Sequence, residues 1–184
     1  GSFTTLAVSK MGYAGRIEVY DDDVVNDHNI PNQFYRVLDK GQFKVQALQT
    51  IVQEYTGIGI QTNCFRPESC PQSEIVILAV DSMAARKQMY GTATHSTRWL
   101  IDGRMGGEVM RIYTVDMNNE QSRRFYEETL YTDEEAAPEI CGAQSVIYNV
   151  LVIAGFITNQ LKKVSMSEPF MAEIVFDLKT MILL

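Results

Sequence analysis

The chain has 184 residues, 46% of them hydrophobic and 21% charged, which suits one domain with a packed core. Sixteen basic against 23 acidic residues leave a formal net charge of −7, which argues against a nucleic-acid backbone as the main partner but allows a small basic pocket for nucleotide phosphates. Its three cysteines, Cys64, Cys70 and Cys141, lack the even, regular spacing of a secreted disulfide framework and point to a reducing, cytoplasmic setting.

Phe3, Leu6, Ala7 and Met11 recur at helical spacing until Gly12 and Gly15 interrupt them. A short strand over residues 17–20 runs into Asp21-Asp22-Asp23, and residues 22–38 read as loop. Val45, Leu48, Ile51, Val52 and Tyr55 mark one face of an amphipathic helix that Gly57 ends. Residues 58–65 read as a strand, and Pro67 and Pro71 bound a turn.

Residues 75–80 form an apolar strand that suits the centre of a parallel sheet, closed by Asp81. A short helix over 82–90 follows. Residues 99–101 read as a strand ending at Asp102-Gly103, and 109–115 as the next strand. A charged helix over 118–130 and an acidic irregular stretch over 132–139 lead to Cys141 and an apolar helix over 143–162. The apolar run 146–157 carries Asn149 and is shorter than the roughly 18 residues of a membrane span, so no membrane partner is expected. Residues 172–178 alternate as an edge strand would. The whole reads as one α/β domain over residues 1–184. Its Rossmann-like sheet is parallel in the first half and mixed in the second, with helices on both faces.

Several residues could carry chemistry, each with a plainer alternative. Acids that close a strand suit ribose hydroxyls, as in other nucleotide folds, or are a solvated loop. Lys44, in the first turn of its helix, could neutralise phosphate or be a surface lysine. Asp81 could hold Mg²⁺ alongside substrate phosphates or cap the next helix. Arg86 could lie at a site or on an exposed helix face. Arg104 could be an active-site charge or a turn residue, and reads more readily as structural. Cys141, just before a helix, could have an activated thiol or be a small buried one. His28 and His95 lack metal-ligand spacing to the cysteines.

In order, these pieces resemble the ThiF/MoeB/HesA superfamily, bacterial relatives of ubiquitin-activating enzymes. Residues 21–33, Asp-Asp-Asp-Val-Val-Asn-Asp-His-Asn-Ile-Pro-Asn-Gln, resemble its Asp-x-Asp-x-Val-x-x-x-Asn-Leu-x-Arg-Gln. Gly41-Gln-Phe-Lys44 resembles its Gly-x-x-Lys, and residues 77–86 resemble its strand-Asp-Asn-x-x-x-Arg. Gly1-Ser2, which alone could be a cloning scar, matches the end of the family's Gly-x-Gly-x-x-Gly-Ser loop. On that reading the first strand and most of the loop precede Gly1, and an intact mass above 20.8 kDa is expected.

The resemblance implies ATP-dependent adenylation of the C-terminal carboxylate of a ubiquitin-like or sulfur-carrier protein ending in Gly. Gly1, Asp21, Asp23, Asn29, Gln33 and Lys44 would line the nucleotide site, and Asp81 would place Mg²⁺. Cys141 falls where some members carry a thioester or sulfur-transfer cysteine. It also implies a homodimer. The paired CxxC ligands of many members are missing, so no zinc is expected. Asn32 stands where the family has an arginine that stabilises charge at the α-phosphate, leaving Arg36, Arg86 and Arg104 as substitutes. Two other readings remain: a scaffold of the same fold that binds nucleotide or partner without turnover, and a NAD-binding oxidoreductase sharing the Rossmann-like half.

Overall fold

The computed structural model describes residues 1–13, 16–131 and 146–184. They divide into two compact units, Gly1–Pro67 and Glu68–Leu184.

In the first unit, helix α1 (Ser2–Lys10) is followed by strand β1 (Glu18–Tyr20), helix α2 (Lys44–Thr56) and strand β2 (Gln61–Asn63). β1 and β2 pair in parallel, with Val19 opposite Thr62. A parallel pair needs a crossover, and α2 supplies it. Val45, Ala47, Leu48, Ile51 and Val52 are buried on one side of α2, as their spacing requires. Gly57 ends the helix with φ of 71° and donates its N–H to the Gln53 carbonyl, a left-handed cap that costs glycine least. Leu6, Leu48, Val52 and Ile60 form the core, with Ile17, Val19, Phe34 and Tyr35 packed against it. Two features differ from expectation. Tyr55 and Met11 are exposed, and α1 buries Ser2, Thr4, Leu6, Val8 and Ser9. Small polar residues can face inward there because their hydroxyls find partners: Ser9 donates to the Thr5 carbonyl, and Ser2 accepts the Phe34 N–H.

The second unit runs β3 (Ile75–Leu78), α3 (Met83–Gly91), β4 (Trp99–Gly106), β5 (Val109–Asp116), α4 (Glu120–Glu127), α5 (Ile147–Ser165), β6 (Glu173–Asp177) and β7 (Ile182–Leu183). The strands form one sheet in the order β3-β4-β5-β6-β7. β3 and β4 are parallel and the remaining pairs antiparallel, the mixed sheet expected of the second half. One face carries Val76, Leu78, Leu100, Tyr113 and Val115 against Met89 of α3 and Tyr126 of α4. The other face meets α5 at Gly103. No described helix is long and apolar enough to cross a membrane.

Three elements of this unit differ from expectation. β3, expected at the centre of a sheet, is the end strand of these five. Residues 172–178 do not form an edge, because β6 lies between β5 and β7. The third concerns Asp102-Gly103: an acid followed by glycine reads as a strand end, yet β4 continues through both to Gly106. Asp102 is fully buried inside the strand because two guanidiniums offset its charge. Gly103 is required by packing: a Cβ there would lie 2.7 Å from the Ile157 Cδ1. Gly103→Ala is therefore expected to cost about 1–3 kcal/mol, measured by urea unfolding. Ile157→Val, which removes that methyl, should recover part of the loss.

Candidate nucleotide-binding site

In the first unit the chemistry gathers where β1 ends. The Asp21 N–H donates to the Asn63 carbonyl, continuing the β1–β2 pairing by one residue. The Asp21 carboxylate is half-buried and accepts the Asp23 N–H at 2.8 Å through Oδ1. Burial raises its pKa, while the bond from Asp23 and the charge of Lys44 oppose the rise. The carboxylates of Asp21, Asp22 and Asp23 lie within 4.8 Å of one another.

Lys44 is not a surface lysine. Its side chain is 11% exposed, and its Nζ donates to Asp23 Oδ2 at 2.6 Å. Its backbone N–H, one of the four donors a helix start leaves unpaired, goes to the Asp23 carbonyl at 2.9 Å. Asp23 thus fixes both ends of Lys44, and the hydrogen bond from the ammonium holds the Asp23 carboxyl below its ordinary pKa. The outcome is a buried cation at a helix N-terminus, beside acids at a strand's carboxyl end.

The loop that follows is held by its own side chains. Asn29 is buried, and its Oδ1 accepts the Asn26 N–H, shaping a short 3-10 turn over Asp27–Asn29. The Gln33 N–H donates to the Asn29 carbonyl at 2.8 Å. The Oδ1 of Asn32 is buried without a hydrogen-bond partner among the described residues. Arg36 forks onto the fully buried Asp39 and also pairs with Glu54. Gly1 precedes α1, and its carbonyl accepts from both the N–H and the hydroxyl of Thr5. His28 is exposed.

In the second unit Asp81 is exposed just beyond the carboxyl end of β3. It is not the helix cap: Ser82 caps α3, its hydroxyl accepting the Ala85 N–H. No described residue hydrogen-bonds or ion-pairs with the Asp81 carboxylate, whose oxygens are the donor type that suits a hard cation. Arg86 is buried, not on an exposed helix face. Its Nε donates to Asp102 Oδ1 at 3.0 Å, and its Nη2 donates to the carbonyls of Val80 and Gly103.

Arg104 donates to the other oxygen of Asp102 and stacks 4.4 Å over the Tyr113 ring. It also donates to the Thr129 carbonyl and hydroxyl. Tyr126 adds its hydroxyl to Asp102, and burial pushes that hydroxyl's pKa well above its ordinary value. Arg36, Arg86 and Arg104 are thus each held by carboxylates. His95 is exposed. Cys70 is buried, and burial raises its thiol pKa. Cys141 lies outside the described residues.

Asp102 and Asp39 were missed as organising residues. For Asp102 the signal was present: Asp102 and Arg104 lie two apart, on one face of a strand.

A family model described as the ThiF family matches residues 1–177. No curated protein sequence matches the chain. Among solved structures the chain is similar over its whole length to PaaA, at TM-score 0.75 and 20% identity, covering 68% of that protein. It is also similar to Escherichia coli MccB solved with ATP, at TM-score 0.74 and 12% identity, covering 59% of it. A further match is MccB solved with MccA-N7isoASN, at TM-score 0.75 and 11% identity. The chain thus spans about two thirds of PaaA and about three fifths of MccB.

Proposed function

The chain belongs to the ThiF family, and from that premise we propose that it adenylates the C-terminal carboxylate of a peptide or carrier protein with ATP. The observation that carries the reading is the buried Lys44, locked at the start of α2 beside the acids that end β1. A desolvated ammonium at a helix N-terminus suits phosphate. In the first unit, Asp21 would accept from the ribose hydroxyls, since Oδ1 takes the Asp23 N–H and no described residue donates to Oδ2.

The donor set also fits Mg²⁺: Asp81 offers a carboxylate to a cation whose shell the phosphates complete. Bound there, Mg²⁺ would neutralise charge on the leaving pyrophosphate. The chemistry needs no general base. The substrate carboxylate is already ionised, one of its oxygens attacks the α-phosphorus, and the bond to the β-phosphate bridging oxygen breaks. Acyl-adenylate and pyrophosphate are the products. A ubiquitin-like or sulfur-carrier protein ending in Gly fits this reading, as does a homodimer. A thioester at Cys141 would follow adenylation rather than enable it. MccB solved with ATP and with MccA lends support.

The test is calorimetric titration of Mg-ATP into the protein and its Lys44→Met variant. Saturable binding is expected, weakened about 10–100-fold in the variant, the range for losing a charge-assisted bond. Equal binding by both would remove the phosphate role of Lys44. A second reading, nucleotide binding without turnover, draws on Asn32 and on the pairing of Arg36, Arg86 and Arg104 with carboxylates. It predicts ATP binding without pyrophosphate exchange.

A further inference from the structure

We infer that Arg86 is the positioning residue of Asp81: it sets the metal-binding carboxylate by clamping the turn between β3 and α3, and does not act as a free charge toward the nucleotide. This inference rests on the adenylation reading above, which gives Asp81 its metal.

The geometry is specific. Asp81 is exposed, and no described side chain holds its carboxylate. Among the described residues its aim therefore depends on the backbone that carries it, and that backbone is fixed on both sides. On the C-terminal side, Ser82 caps α3. On the N-terminal side, the carbonyl of Val80, immediately before Asp81, accepts from Arg86 Nη2. The same Nη2 reaches the Gly103 carbonyl at 3.3 Å, and Nε is held by Asp102 at 3.0 Å. One guanidinium therefore ties the end of β3 to the middle of β4.

Asp102 is fully buried and is itself gripped by Arg104 and the Tyr126 hydroxyl. The clamp thus has a rigid base. A guanidinium engaged by a carboxylate and two carbonyls, on a side chain 7% exposed, is poorly placed to follow charge developing on a phosphate. Arginine suits the clamp because its planar fork serves several acceptors at once, whereas lysine offers a compact point charge on a flexible stem. Groups behind a metal ligand act on metal affinity, and losing one typically weakens it about 10–100-fold.

The experiment measures ATP affinity by calorimetry across a series of Mg²⁺ concentrations, including none, for the unaltered protein, Arg86→Lys, Asp81→Asn and the double variant. Positioning predicts that Arg86→Lys matches the unaltered protein without Mg²⁺, falls about tenfold or more behind at low Mg²⁺, and closes the gap as Mg²⁺ saturates. In the Asp81→Asn background the same substitution should change nothing at any Mg²⁺ concentration. A loss equally large with and without Mg²⁺ would overturn the inference in favour of direct contact with phosphate. So would a Mg²⁺ dependence identical to that of the unaltered protein.

Should Arg86→Lys fail to fold, Asp102→Asn, which unfastens the same guanidinium at its base, is expected to show the same Mg²⁺-dependent gap. Its absence in a folded Asp102→Asn protein would equally overturn the inference. Failure of the adenylation reading has a different signature: the unaltered protein itself would show no saturable ATP binding.

Discussion

Replacing Asp102 with alanine is expected to destabilise the protein by about 3–5 kcal/mol, the usual penalty for removing one partner of a buried ion pair. The side chain is fully buried, with a guanidinium on each carboxylate oxygen and the Tyr126 hydroxyl sharing one of them. Alanine would leave two arginines with side chains 7% and 12% exposed and no counter-charge among the described residues. Against a total stability of about 5–15 kcal/mol for a typical domain, that is a large share.

Urea unfolding followed by tryptophan fluorescence provides the measurement, since Trp99 opens the same strand. A midpoint shift equivalent to less than about 1 kcal/mol would mean that water reaches both guanidiniums. Removing all three charges, with Asp102→Leu, Arg86→Met and Arg104→Met together, should cost less than Asp102→Ala alone. The apolar replacement carries no unpaired charge.

Asp81→Ala should do the reverse, leaving stability intact and removing activity. The Asp81 side chain is exposed, the helix cap is Ser82, and no described residue bonds to the carboxylate, so stability should move by no more than about 0.5 kcal/mol. If Asp81 holds the Mg²⁺ that neutralises the leaving pyrophosphate, ATP–pyrophosphate exchange should fall by about 10²–10³-fold or more. Exchange retained in a folded Asp81→Ala protein would sink the metal role. Taken together, the two substitutions separate the carboxylate that holds the fold from the one proposed to meet the ligand, although each follows or lies within a strand of the same sheet.

Much of this was legible from residue order. The face of α2 and its Gly57 stop follow from a 3.6-residue period and a left-handed cap. The acids after β1, Lys44 at the start of α2 and Asp81 after β3 all sit at element boundaries, which local patterns mark well. What escaped was the effect of partners distant in sequence. Arg86 looks like a solvent-facing helix residue until its spacing from Met83 and Met89 is noticed; all three are buried. Asp102 looks like a terminator because an acid is seldom buried unless it is paired, and its pairs come from α3, α4 and β4 itself. The interior place of β6 depends on β7, a strand of two residues that carries almost no pattern of its own.

The grip of Arg104 on Thr129 has a consequence for motion. A helix of eight residues at the surface would ordinarily fray from its ends on its own. Here the turn after α4 is bonded to a guanidinium rooted in β4, and Tyr126 is sealed beneath it with no exposed surface. Lifting α4 would strip Asp102 of a hydroxyl and Arg104 of two acceptors in the same event. Its opening is therefore tied to that of the sheet, and its backbone amides should share the slow solvent exchange of β4 rather than the fast exchange of a peripheral helix.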